Sequence, residues 1–445
     1  MALGLGGCSV VLDFDRLREG RDAGVGDLAD ADLTGADLTG ADLVGLGEVL
    51  AGVDLTGVDQ AGICPTFPAG GPSFVRDDSI VVPGTINADT LGLVDVDHDG
   101  LPEALIAFYD SAQGKNVLRV YKRVAGAQTL AAQAPDLPGG CTSASTPRAM
   151  IAGDYDGDGL SDLVVSCDYS GAVELNLLLG KAGGGFAPLV PFATASRIYA
   201  GASGDLDGDH YDDYVGHDSG GDDLVIYWGG PTASAMVAAA PTRIFAGATA
   251  MGVTVAPILG GRPAIAAAYA FGYLKDQVTA DAAHLALLYP AAGARAFASL
   301  ARTDMTALHA ALLGRYDADP FGDLLLVSDD GGAQVRHGDA TGALGAATGI
   351  AALPPSPGHH AIADLDCDGR SDVVTAHNAM ANPDVVTFLR GATLQSTNLS
   401  RPSGSTSTLR EVFVADLDGD RRKDIVVLTD ESTTSHVRVY FSQAP

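Results

Sequence analysis

The sequence predicts an all-β protein: a seven-bladed β-propeller of four-stranded blades, closed by an N-terminal strand that completes the last blade. Three observations predict it. A nine-residue signal recurs seven times in the 445 residues, with first positions at 95, 154, 205, 256, 315, 364 and 416. Around each copy the same order of strand-like runs recurs: one enters the signal, a second leaves it, a third follows a polar turn, and a weaker fourth leads onward. The chain stops just after the third run of unit seven, while Ser73–Val82 (SFVRDDSIVV) reads as a strand with no other home. Pairing the two ends in one blade would leave no open sheet edge.

The signal carries chemistry as well as register. Five copies place carboxylates at positions 1, 3, 5 and 9: Asp95, Asp97, Asp99 and Glu103; Asp154, Asp156, Asp158 and Asp162; Asp205, Asp207, Asp209 and Asp213; Asp364, Asp366, Asp368 and Asp372; Asp416, Asp418, Asp420 and Asp424. Each is followed by a strand-like run: ALIAF, LVVSC, YVGHD, VVTAH and IVVLT. Calcium is a hard cation that takes about six to eight oxygens, and a tight loop that converges four carboxylates supplies them. About five structural calcium sites are expected. Gly100, Gly159 and Gly369 stand at position 6, where a left-handed turn is needed. His210 and Arg421 stand there in loops three and seven, which predicts weaker sites. In loop five Arg315 replaces the first Asp and is expected to lie against Asp317, Asp319 and Asp323 in place of an ion. Loop four (APILGGRPA from Ala256) has no carboxylate and should bind nothing. The ions are read as staples of the fold, stabilising it by binding only the folded chain.

Composition agrees. Gly 57 and Pro 22 suit many short strands and tight turns. The net charge of −30 argues against nucleic acid, which needs a basic footprint. Five calcium ions would offset ten of those charges. Ile244–Gly261 is an uncharged stretch long enough for a membrane helix, but it contains Pro257 and falls in register with unit four, so it reads as an inner strand and a degenerate loop.

The pattern DxDxDGxxD followed by an apolar run resembles the FG-GAP/VCBS repeat, the repeat of the seven-bladed propeller of integrin α subunits and of many bacterial surface proteins. The resemblance covers residues 72–445. It implies the propeller and its calcium loops, and a role in adhesion or binding, without naming a ligand.

Two further segments precede the propeller. Leu5-Gly6-Gly7-Cys8 resembles a bacterial lipobox, which implies lipidation at Cys8 and a tether over residues 1–25. No Lys or Arg precedes it, and the apolar region ahead of it is short, as a start codon placed too far downstream would explain. The alternative is a cytoplasmic chain with a chance LGGC. Residues 26–62 carry ADLTG-type units that resemble the pentapeptide repeat. A small capping coil and a spacer from the membrane are both open, and the spacer is the reading adopted. With Cys8 lipidated, four cysteines remain. Cys141, entering blade two, and Cys167, ending its second strand, are expected to form a disulfide; Cys64 and Cys367 are a second candidate pair. Free buried thiols are the alternative.

No catalytic motif is present: no HExxH, GxSxG, CxxC or phosphate-binding glycine loop. One constellation converges where the inner strands begin. It comprises Arg148, Tyr199, His309, His359 and Arg410, set in an acidic protein. An acidic sugar or a carboxylate-bearing peptide would suit it; solvated strand ends are the plainer reading. The chain is therefore expected to be a non-enzymatic, exported lipoprotein of the cell envelope that binds an extracellular or envelope protein or glycan. The alternatives are a lectin, disfavoured by the single Trp228, and a polysaccharide lyase or hydrolase built on Arg148, His309, His359 and Arg410.

Overall fold

The structure is a computed structural model. It describes residues 3–5, 8–10, 73–82 and 90–443, the last apart from single positions and connections of which 270–282 is the longest. The pentapeptide-like segment, Cys64 and Cys367 lie outside the described residues.

Strands β1 (Leu3–Leu5) and β2 (Cys8–Val10) pair as a small antiparallel hairpin. Strand β3 (Ser73–Val82) follows. Next come β4 (Thr90–Val94), β5 (Glu103–Asp110), β6 (Lys115–Arg123) and β7 (Leu130–Ala132) in one sheet, with β8 (Leu137–Pro138) also on β6. The next sheet holds β9 (Thr146–Gly153), β10 (Asp162–Tyr169), β11 (Ala172–Leu178) and β12 (Val190–Pro191). Strands β13 (Ile198–Gly204), β14 (Asp213–Asp218), β15 (Asp223–Tyr227) and β16 (Thr242–Phe245) follow, with the short helix α1 (Ala233–Ala238) before the last. Then come β17 (Ala250–Leu259), β18 (Arg262–Tyr269), β19 (Ala283–Pro290) and β20 (Phe297–Met305). Strands β21 (Leu308–Gly314), β22 (Asp323–Ser328), β23 (Ala333–Arg336) and β24 (Thr348–Ile350) make another sheet. So do β25 (Pro357–Ala363), β26 (Asp372–His377), β27 (Val386–Leu389) and β28 (Ser396–Leu399). The last chain segment supplies β29 (Thr408–Ala415), β30 (Asp424–Glu431) and β31 (Thr434–Gln443). Its fourth strand is β3, which pairs antiparallel with β31 from Ser73↔Gln443 to Val82↔Ser435.

This is a β-propeller, and the side-chain alternation of its second strands explains why. Along β5, Leu105 and Ala107 pack with Met150, Leu163 and Val165 of the next sheet. Ala104, Ile106 and Phe108 face the other way and meet Phe413, Val426 and Leu428 of the last sheet. A sheet buried on both faces needs a continuous apolar run rather than an alternating one, which is why ALIAF reads as it does. Each fully buried Leu, Ile or Phe contributes about 1.5–3 kcal/mol.

The first strands lie side by side: β4 beside β9, β9 beside β13, β13 beside β17, β17 beside β21, β21 beside β25, β25 beside β29, and β29 beside β4. The hairpin runs against them, with β1 beside β13, β17 and β25, and β2 beside β4, β9, β13 and β29. Cys8, read from the sequence as part of a tether, is thus the first residue of a strand next to the inner strands. In unit four Ala256 pairs with Ala264 inside β17–β18, so a tight hairpin replaces the loop. Among the described residues no helix is long and apolar enough to cross a membrane.

Candidate metal sites in the first-to-second strand loops

Outside unit four, each nine-residue loop ends on the first residue of its second strand, so position 9 is fixed by the sheet. Its carboxylate is buried: Asp162 is 1 % exposed and Asp213, Asp323, Asp372 and Asp424 are 0 %. One oxygen accepts the backbone N–H of position 2. This is seen for Val96 on Glu103 at 2.7 Å, Tyr155 on Asp162 at 2.9 Å, Leu206 on Asp213 at 2.8 Å, Tyr316 on Asp323 at 2.7 Å, Leu365 on Asp372 at 2.8 Å and Leu417 on Asp424 at 3.0 Å. The other oxygen accepts an N–H at or just past the end of the third strand: Gly180 on Asp162 at 2.8 Å, Gly229 on Asp213 at 2.9 Å, Gly338 on Asp323 at 2.9 Å and Ser442, near the end of β31, on Asp424 at 2.8 Å. Glycine suits that approach, because a Cβ on Gly338 would sit 2.2 Å from the Gly322 carbonyl oxygen. Position 9 therefore closes the turn through the backbone. The sequence pattern assigned it to the ion cage alone.

The other carboxylates are oriented in the same way from loop to loop. Position 1 accepts the N–H of position 6 through Oδ2, as Asp95 does from Gly100 at 2.9 Å, Asp154 from Gly159 at 3.1 Å, Asp205 from His210 at 3.0 Å, Asp364 from Gly369 at 2.9 Å and Asp416 from Arg421 at 2.8 Å. Position 5 accepts the N–H of position 7 through Oδ1, as in Asp99, Asp158, Asp209, Asp368 and Asp420. Those bonds require left-handed backbone. His210 (φ 72°) and Arg421 (φ 67°) adopt it where other loops have glycine. Position 4 is left-handed as well, at His98, Gly157, Gly208 and Gly419, a need signalled by the repeated glycine there. Position 2 is a further element that the carboxylate pattern hides. Val96, Tyr155, Leu206, Tyr316, Leu365 and Leu417 are all buried. The signal for it is an apolar residue at that place in each loop.

The donor chemistry fits a hard cation. Asp154, Asp156 and Asp162 each offer an oxygen within 4.8 Å of the others, as do Asp205, Asp207 and Asp213; Asp364, Asp366 and Asp372; and Asp95, Asp97, Asp99 and Glu103. Burial pushes Asp162 up to about 9, Asp213 and Asp424 to about 8, and Glu103 to about 7; the same cause raises Asp154 and Asp364 to about 6. Crowded, desolvated carboxylates of this kind call for a positive partner.

Basic side chains mark where such a charge sits. In loop one Lys122 Nζ lies 2.5 Å from Asp97 Oδ2, 2.5 Å from Asp99 Oδ2 and 3.3 Å from Glu103 Oε1. In loop three Arg295, from the next sheet's third-to-fourth strand turn, binds Asp207 at 2.7 Å and Asp209 at 3.1 Å while its guanidinium covers Trp228. In loop seven Arg422 binds Asp420 Oδ2 at 2.8 Å, and Arg123 reaches the Asp418 carbonyl and carboxylate from the first sheet. Loop five corrects the sequence reading. The Arg315 guanidinium donates to the backbone carbonyl of Asp319, at 3.3 and 3.2 Å, rather than forming the expected carboxylate pairs. His337 is the side chain that meets Asp317 and Asp323.

Cys141 and Cys167 are joined by a disulfide, with Cα atoms 6.0 Å apart. The residues proposed for ligand binding sit on first strands in two groups: Arg148 and Tyr199 on neighbouring β9 and β13, and His309, His359 and Arg410 on neighbouring β21, β25 and β29, with β17 and β4 between the groups. Arg148 is exposed, and His309 and His359 are half-buried. The His309 ring packs edge-on against His360, at 5.6 Å between centroids. The side chains of Tyr199 and Arg410 lie outside the described set.

The fold is a β-propeller, and part of the chain carries FG-GAP-like repeats. Residues 95–165 and 154–216 match the family model described as "FG-GAP-like repeat". Residues 27–46 match "Pentapeptide repeats (8 copies)". No curated protein sequence matches the chain. Among solved structures, the β-propeller domain of Cps50 (Swd1) from Myceliophteria thermophila aligns with a TM-score of 0.48 at 10 % identity, over 82 % of this chain and 99 % of that one. The Dos1 propeller aligns with a TM-score of 0.43 at 10 % identity, over 79 % and 78 %.

Proposed function

We propose that this chain is a seven-bladed, calcium-stapled propeller that serves as a non-enzymatic binding module at the cell envelope. The observation that carries the reading is the repeated division of labour within each loop. One oxygen of the position-3 or position-5 carboxylate accepts a backbone N–H, and its Oδ2 is turned to where a cation is stabilised, as the basic side chains in loops one, three and seven illustrate. Calcium would be held by the carboxylates of loops one, two, three, six and seven, and would neutralise groups that burial otherwise drives to hold protons.

Closure through the N-terminal strand is part of the proposal. The β3–β31 pairing and the core shared by Leu91, Ile106, Phe413 and Val439 support it. The Cys141–Cys167 disulfide supports an oxidising compartment. Lipidation at Cys8 would make it the first residue of the mature chain and remove β1. Anchor and hairpin are therefore alternatives, which the N-terminal mass of envelope-extracted protein distinguishes.

For the partner, the first-strand ends with Arg148, His309 and His359 offer cationic and neutral donors to a carboxylate-bearing glycan or peptide. A lectin platform is disfavoured, because Trp228 is buried and covered by Arg295.

The test is thermal unfolding with and without EGTA, together with calcium counted per chain. Four or five ions and a large fall in melting temperature on chelation are expected. No bound calcium and no shift would end the reading.

A further inference from the structure

Loop five has lost the first carboxylate of the calcium pattern, yet it has kept a tight cluster of donor atoms of a different kind. His337 follows β23 and stands across from Asp323, the first residue of β22, as the Leu324↔Arg336 pairing requires. Its Nδ1 lies 2.9 Å from Asp317 Oδ2 and 3.4 Å from Asp323 Oδ1. That nitrogen is buried, and no donor–acceptor geometry satisfies it.

The two carboxylates are held in place from behind. Asp317 Oδ1 accepts the N–H of Asp319 at 2.9 Å. Asp323 accepts from Gly338 through Oδ1 at 2.9 Å and from Tyr316 through Oδ2 at 2.7 Å, and is itself fully buried. With a lone pair on Nδ1, three such atoms this close repel one another unless a positive charge, a proton or a metal ion, stands among them.

Two features select the kind of cation. A ring nitrogen with two carboxylate oxygens is a donor set for a borderline-soft metal rather than for calcium. The spacing agrees: ligands about 2.0 Å from a tetrahedral zinc lie roughly 3.3 Å from each other. We propose that Asp317, Asp323 and His337 form a zinc-class metal site, distinct from the calcium loops, with solvent completing the coordination on the side where His337 is 42 % exposed. The backbone bonds to Asp317 and Asp323 would act as the outer shell that orients the ligands. The site does not depend on whether the other loops hold calcium.

The test uses the intact protein saturated with calcium, so that the carboxylate loops are filled. Co2+ is then titrated as a spectroscopic stand-in and displaced with Zn2+. The expected result is one equivalent of Co2+ with visible absorption of a nitrogen-containing site, displaced by Zn2+, lost in His337→Gln and in Asp317→Asn, and kept in His436→Asn, a histidine of β31 outside the loops. Should His337→Gln fail to fold, Asp317→Asn at the exposed rim decides. Absence of stoichiometric Co2+ binding, or binding untouched by both substitutions, overturns the site. So does a histidine titration showing that a proton alone bridges His337 and the carboxylates.

Discussion

Asp212 Oδ2 accepts the backbone N–H of Asp154 at 2.9 Å, and the N–H of Asp212 donates back to the Asp154 carbonyl at 2.9 Å. Position 8 of one loop thereby grips position 1 of the loop before it, across the boundary between two sheets. Ser371 repeats the grip on Arg315, with Oγ accepting the N–H at 2.9 Å and its own N–H donating to the carbonyl at 2.5 Å. Asp212→Ala strands the N–H of Asp154 and is expected to cost about 1–3 kcal/mol in urea unfolding. Asp212→Ser copies the loop-six solution and should retain most of the stability. Equal stability of Asp212→Ala and wild type would show that the clamp contributes nothing.

Position 9 and position 3 should separate in a chelator experiment. Asp323 holds two backbone N–H groups in a loop without the full calcium set, so in protein free of zinc-class metal Asp323→Ala should destabilise by about 2 kcal/mol or more, with or without EGTA. Asp156 lies in the proposed cage of loop two, so Asp156→Ala should lower the melting temperature in calcium and change little in EGTA. If Asp156→Ala costs as much in EGTA as in calcium, its role is not metal binding.

Much of this organisation was readable from residues alone, because a register repeated along the chain constrains it. The carboxylates at fixed offsets marked the turn between first and second strands, and the run after each marked a strand buried on both faces. Ser73–Val82 read as a strand with no other home, and it pairs with β31 at the end of the chain. Other features were hidden because they are relations between units. Lys122, His337 and Trp228 occupy one place, opposite position 9, but their chemistry differs, so no pattern announced it. The Asp212 and Ser371 clamps share a position and not a residue type. Arg315 misled for a similar reason: its charge suggested carboxylate pairs, but its guanidinium reaches a backbone carbonyl of its own loop.

Lys122 and a calcium ion compete for the same oxygens in loop one. The ammonium contacts three carboxylates and is 28 % exposed. Burial acts to lower it, but the contacts with Asp97 and Asp99 and the charge of Glu103 together hold it above the usual lysine range. Removing it leaves Asp95, Asp97, Asp99 and Glu103 without that charge. Lys122→Met should therefore raise the calcium affinity of loop one by about fivefold or more, since unit charges at such distances interact by at least ~1 kcal/mol even in water. Calorimetric titration of wild type and variant reads this as one tighter class of sites. An unchanged isotherm would place Lys122 outside the cage in solution.

The buried carboxylates fix the sign of the pH dependence. Desolvation raises Asp162 to about 9, Asp213 and Asp424 to about 8, and Glu103 to about 7, against ordinary values near 4 in the unfolded chain. Between about pH 4 and 9 the metal-free folded protein therefore holds protons that the unfolded chain has released. Stability then falls as pH rises, so extensively demetallated protein should melt at a higher temperature at pH 5 than at pH 8. Calcium replaces those protons, and its binding should release them. In saturating calcium the decline should flatten or reverse, because the ion binds best once the carboxylates are ionised. Melting curves at the two pH values, each with and without calcium, give four temperatures to compare. A metal-free protein that grows more stable from pH 5 to 8 would mean these carboxylates are already ionised and paired within the fold.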